Sequence, residues 1–134
     1  MDKRNPREIS PTEVTFDLVG GKYKGAILWY IHKHHVMRFS EIVRHLPACN
    51  VKMVTQQLRA MEQDNLLCRT VYPEVPPRVE YSLTRLGESL FPVIQVAHQW
   101  GIAYVRSLPE EQAPITEKMR KVYETEIPPE GPVK

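Results

Sequence analysis

Between Val51 and Asn65 the sequence sets Lys52, Gln56, Arg59 and Gln63 on one side of a helical repeat, with Thr55 at its edge. At ~100° per residue these positions oppose Val54, Leu58 and Met61, whose i, i+4, i+7 spacing marks an inward face. The polar side carries cations, amides and a hydroxyl, and no acid. A guanidinium can grip the two acceptors of a guanine edge, an amide can pair with adenine, and a threonine methyl can meet that of thymine. Lys52, Thr55, Gln56 and Arg59 therefore have the chemistry of major-groove readout. A polar face that only meets water has the same periodicity, so the partner must be read from the elements around the helix.

A hairpin comes next along the chain. Leu67 to Tyr72 is dense in strand formers, Pro73-Glu74-Val75-Pro76-Pro77 cannot continue a ladder, and from Arg78 to Leu83 the residues Val79, Tyr81 and Leu83 alternate with Arg78, Glu80 and Ser82. Prolines fix φ and remove donors, so the tip is a stiff projection. Arg69 and Arg78 place cations on its strands, as a wing that lies along phosphate or enters a minor groove requires.

Upstream elements must hold this pair in place. A short helix is expected over Thr12 to Val19, a break at Gly20-Gly21, and a second helix over Lys22 to Lys33 with Ala26, Ile27, Tyr30 and Ile31 inward. Lys22 and Lys24 stand near its N-terminus, where free N–H groups favour an anion such as a DNA phosphate. Arg38 is a third candidate for phosphate. Ser40 is expected to cap a third helix that ends before Pro47, which makes the third and fourth helices a helix-turn-helix.

Downstream, Thr84 caps a long helix to about Ser107 that carries two apolar stripes. Leu86, Leu90, Val93, Ala97, Trp100 and Tyr104 form one; Phe91, Ile94, His98, Ile102 and Val105 form the other. A domain of this size covers one stripe. The second, from Phe91 to Val105, is therefore expected to meet a second copy across a two-fold axis, with help from the first helix and from Ile115 to Tyr123.

Composition fits a small regulator. Net charge is only +2 over 134 residues, but residues 18–59 hold seven bases against Glu41 alone, a net +6, while residues 107–134 are net −2. Such a confined positive field is the footprint of a nucleic-acid binder. No apolar run approaches the roughly 18 residues of a membrane span, and two cysteines are too few for a disulfide scaffold, so a cytoplasmic setting is expected. His32, His34, His35, His45 and His98 lack the carboxylate or thiol support of a metal site, and no nucleophile-base pair or phosphate loop is present, so neither metal, cofactor nor catalysis is expected.

Several stretches carry a family resemblance. Gly20-Gly21-Lys22-Tyr23-Lys24, Arg38-Phe39-Ser40-Glu41-Ile42, Lys52 to Arg59, Arg69 to Thr84 and Leu86-Gly87 resemble the successive signatures of the HxlR family of bacterial transcription regulators. The resemblance covers about residues 10 to 105 and is most specific in the hairpin. It implies a dimeric winged helix-turn-helix related to the MarR group and acting on promoter DNA. Many members of that family open the domain with a Cys-Pro pair whose thiol senses oxidants or electrophiles. The matching pair here is Ser10-Pro11, and a hydroxyl offers no thiolate. Cys49, at the entry to the fourth helix, and Cys68, at the start of the wing, remain as thiols. Each is expected to be a small structural residue, with Cys49 the better candidate for reactivity because Lys52 and a helix start lie beside it.

The fold expected is mainly α with a small β-hairpin wing. It divides into an N-terminal arm (1–9), a winged helix-turn-helix domain with its dimerisation helix (10–107) and a C-terminal extension (108–134). The expected activity is homodimeric binding of double-stranded promoter DNA. Two alternatives stand beside it: a winged-helix module that docks a protein and not DNA, and a regulator switched by a small molecule in a dimer-interface pocket lined by Trp29, Tyr30, Phe91 or Trp100.

Overall fold

The computed structural model describes residues 8–21, 23–109 and 111. In chain order these form α1 (Pro11–Val19), α2 (Lys24–His34), β1 (Met37–Arg38), α3 (Phe39–His45), α4 (Val51–Gln63), β2 (Leu67–Tyr72), β3 (Arg78–Leu83) and α5 (Arg85–Ser107). The strands make one antiparallel sheet in the order β1-β3-β2. Most of the arm at 1–9 and nearly all of the extension at 108–134, including Ile115 to Tyr123, lie outside the described residues.

Three helices start on a side-chain cap. Ser10 Oγ accepts the Glu13 N–H at 3.1 Å, with Pro11 in the first helical position. Asn50 Oδ1 accepts that of Met53 at 2.8 Å, and Thr84 Oγ1 that of Gly87 at 3.0 Å. Each cap satisfies a donor the first turn leaves free and stabilises by about 1 kcal/mol. The expected cap at Ser40 is corrected. Arg38 is the N-cap of α3, because Glu41 Oε1 three residues on takes the Arg38 N–H at 3.0 Å and starts the helix two residues earlier.

The core is built around α2. Ala26 to Ile31 are all buried, since α3, α4, α5 and β3 enclose that helix on several sides. Trp29, 1% exposed, packs tilted against Phe91 with ring centroids 5.5 Å apart. His32 lies flat on Phe91 at 3.6 Å and holds Glu88 Oε2 at 2.7 Å, a second tie between α2 and α5.

Between α4 and the wing the chain reverses in a Schellman turn. Asn65 takes φ 63°, Leu66 N–H returns to Met61 O at 2.9 Å and Asn65 N–H to Glu62 O at 3.0 Å. Thr84 closes onto this turn: its N–H donates to Leu66 O at 3.0 Å and its hydroxyl to Asn65 O at 2.7 Å. The end of α4, the root of the hairpin and the start of α5 are thus one hydrogen-bonded corner.

That corner sets which of the two stripes of α5 is buried within one chain. The buried residues are Gly87, Phe91, Ile94, His98 and Val105, which share one helical face, and Ile102 is half-buried. Gly87 seats against the Leu66 carbonyl with no room for a β-carbon, so its face must turn inward and carries Phe91, Ile94, His98 and Val105 with it. Those residues belong to the interior of a single chain. The large apolar side chains left exposed on α5 are Leu86, Val93, Val96, Trp100 and Tyr104, with Trp100 and Tyr104 stacked at 5.3 Å. Exposed Val14 and Phe16 lie on α1.

Candidate nucleic-acid interface

The outward face of α4 arises from its amphipathic sequence. Val54, Leu58 and Met61 are buried in the core, which leaves Lys52, Gln56, Arg59 and Gln63 exposed on the opposite side. Thr55 is half-buried at the edge of that face. Its hydroxyl donates to Val51 O at 2.8 Å, so its O–H is already engaged by the helix backbone. Glu62, also exposed, puts an acid on the last turn beside the otherwise acid-free surface.

Among the described residues the cations Lys24, Arg38, Lys52, Arg59 and Arg69 make no ion pair. They occupy the start of α2, the β1–α3 junction, the outer face of α4 and the outer face of β2. Lys24 is half-buried and the other four are exposed. Lys22 lies outside the described residues. Cations left without carboxylate partners on consecutive elements of a helix-turn-helix are free to meet phosphates or base edges.

Arg78 behaves differently. Its guanidinium sits 4.0 Å above the Tyr72 ring, Nη2 is 3.3 Å from Glu74 Oε1 and Nε is 3.8 Å from Glu80 Oε2. Arg78 stands on its strand as expected, with two carboxylates and an aromatic face around its guanidinium. The i, i+4 spacing of Glu74 and Arg78 and the nearby Glu80 were the signal for this clamp. β1 and the Asn50 cap of α4 also escaped the sequence reading. β1 is two residues long and has no period to detect, while Asn50 stands in the expected N-cap position before Val51.

The two thiols, both expected to be small structural residues, differ in exposure. Cys49, between α3 and α4, is 5% exposed and its N–H returns to Leu46 O at 2.9 Å, whereas Cys68 on β2 is exposed. Trp29, Tyr30 and Phe91 fill the core of one chain, so of the four residues expected to line an interface pocket only Trp100 is exposed. Among the described residues no three His, Cys, Asp or Glu side chains gather as a metal would need, and no helix is long and apolar enough to cross a membrane.

A helix-turn-helix, α3 to α4, followed by a projecting hairpin on a three-stranded sheet defines a winged helix-turn-helix protein. The model of the HxlR-like helix-turn-helix family matches residues 18–109, and the chain belongs to that family. The uncharacterized HTH-type transcriptional regulator YkvN of Bacillus subtilis is 46% identical over 92 residues, 69% of this chain and 77% of that one. Among solved structures, the redox regulator HypR in its oxidized form is 40% identical with a TM-score of 0.65, over 70% of this chain and 96% of that one. A protein described as a MarR-family transcriptional regulator from Porphyromonas gingivalis W83 is 32% identical with a TM-score of 0.65, over 75% and 97%. The family and these relatives are transcription regulators and not enzymes.

Proposed function

We propose that the chain is a sequence-specific transcription regulator that binds promoter DNA as a homodimer, with α4 of each protomer in the major groove of one half-site of a palindromic operator and the hairpin on the flanking minor groove. The observation that carries this reading is the outer face of α4, where Lys52, Gln56 and Arg59 stand exposed and the two cations have no carboxylate partner among the described residues. Arg59 and Gln56 reach base edges and Lys52 reaches a base edge or the backbone beside them, with Thr55 placing its methyl at the groove wall. Lys24, Arg38 and Arg69 serve the backbone, as Lys22 does from its place in the sequence.

The dimer forms through the exposed stripe of α5, Val93, Val96, Trp100 and Tyr104, joined by Val14 and Phe16 of α1. The stripe expected from periodicity is set aside, because a surface already buried in one chain is not available to a second. A self-complementary apolar stripe on a long helix suits an isologous interface, and a two-fold dimer matches half-sites about one helical turn apart. HypR is a redox regulator, but its chemistry does not carry over through Ser10. That oxygen is engaged by the Glu13 N–H and has no thiolate form. The setting is the cytoplasm, on chromosomal DNA.

The test is a salt-titrated binding assay on duplexes enriched from a random library by the wild-type protein. Specific binding that steepens with falling salt supports the reading, and affinity indifferent to salt points to a protein-docking module instead.

A further inference from the structure

We propose that the wing touches DNA through its apolar tip, Val75 with Pro76 and Pro77 set into a minor groove, and that Arg78 is a positioning residue that holds the tip and not a phosphate contact. This rests on the DNA-binding reading above and goes beyond it in naming what the wing brings to the groove.

The charge distribution of the hairpin excludes a mainly electrostatic role for the tip. Residues 72–80 hold Glu74, Arg78 and Glu80, a net −1. To reach a phosphate, Arg78 would have to leave Glu74, Glu80 and the Tyr72 ring together, abandoning two carboxylates next to a polyanion. A guanidinium within ion-pair distance of two acids and stacked on a ring ties together the strands on either side of the tip. The foremost part of the tip is therefore apolar, with the Glu74 carboxylate turned to Arg78 beside it: Val75 is 102% exposed and is followed by Pro76 and Pro77.

The complement of that shape is a groove with apolar walls and charged rims. A DNA minor groove is walled by deoxyribose carbons and rimmed by phosphates, and proteins enter it with small apolar wedges. The structure supplies a partner for the rim as well. Below the tip lies an open notch of about 420 Å³, with Arg38, Phe39 and Ser40 on one wall and residues 74–79 on the other. Arg38 is exposed and has no ion pair among the described residues, so the cation that Arg78 does not offer is offered across that notch at the start of α3. An apolar tip beside an unpaired cation matches the sugar wall and the adjoining phosphate of one groove.

The experiment is hydroxyl-radical footprinting, which reads deoxyribose exposure in the minor groove, together with guanine N7 protection in the major groove, on a duplex enriched from a random library by the wild type. The wild type should protect a patch of deoxyriboses flanking each half-site. Val75→Asp, at a fully exposed position that does not threaten folding, should lose that patch and about tenfold in affinity while guanine protection persists. Arg78→Gln should blur the same patch and leave the salt slope unchanged, and Arg78→Lys should recover only part of it, because an ammonium lacks the flat face that stacks on Tyr72. Arg38→Ala should lower the slope by about one. The proposal is overturned if Val75→Asp keeps the deoxyribose pattern, or if Arg78→Gln lowers the slope by about one, as removal of a phosphate partner would. Failure to enrich any duplex removes the DNA-binding reading, and this proposal with it, whereas guanine protection without a deoxyribose patch removes only this proposal.

Discussion

The carbonyl oxygen of Leu66 lies against the α-carbon of Gly87 so closely that a β-carbon at 87 would overlap it. This single contact sets the rotation of α5 about its axis, and so decides which apolar stripe enters the core. It also reverses the usual sign of a helix substitution. Gly→Ala inside an exposed helix gains about 1 kcal/mol, but Gly87→Ala should cost about 1 to 3 kcal/mol, because the Leu66 carbonyl belongs to a turn pinned by Thr84 and cannot give way. Urea unfolding followed by circular dichroism measures the difference, and a more stable variant would show that the corner yields readily.

The two faces of α5 should respond differently to charge. Ile94→Asp places a carboxylate among buried apolar side chains near Gly25 and should destabilise the fold by about 3 kcal/mol or more. Trp100→Asp and Val96→Asp, at 67% and 63% exposed positions, should leave each chain folded and yield monomers at micromolar concentration. Thermal melts with sedimentation velocity separate the cases. A dimer that survives both exposed substitutions would move the interface elsewhere.

Base and backbone contacts have separable signatures. Arg59→Ala should weaken binding by about 1 to 3 kcal/mol and relax preference at one base position per half-site. Lys24→Ala should weaken all sequences alike and lower the salt slope by about one for each phosphate it no longer neutralises. Equal behaviour of the two variants in salt-titrated anisotropy would contradict the division of roles.

Thiol chemistry should track burial. In the folded protein Cys68 should react with iodoacetamide while Cys49 is labelled only on unfolding, as peptide mass mapping would show. Ser10→Ala should cost about 1 kcal/mol through removal of the cap of α1 and leave the response of DNA affinity to diamide unchanged. Preferential labelling of Cys49 would mean that the turn before α4 opens readily.

Much of this arrangement was legible in the residues because punctuation and period agreed. Proline at the tip and Thr84 at the end fix β2 and β3 at Leu67–Tyr72 and Arg78–Leu83, where the alternation places them, and the outer face of α4 is set by Val54, Leu58 and Met61. Periodicity could not choose between the stripes of α5, since both are apolar at helical spacing. The choice was made by Gly87, whose missing side chain marks a close backbone approach. The surroundings of Arg78 were hidden for a related reason: a charge on a strand looks available until its neighbours at 74 and 80 are placed beside it. β1 left no trace, as two residues paired to Tyr81 and Glu80 carry no pattern of their own.

The central claim, that the outer face of α4 reads DNA for a two-fold dimer, is tested most directly by enriching random duplexes with the wild type and with Arg59→Ala in parallel. The wild type should enrich an inverted repeat with half-sites about one helical turn apart, and Arg59→Ala should enrich the same spacing with one position in each half-site degenerate. No enrichment by the wild type, or an unchanged motif from Arg59→Ala, would contradict it.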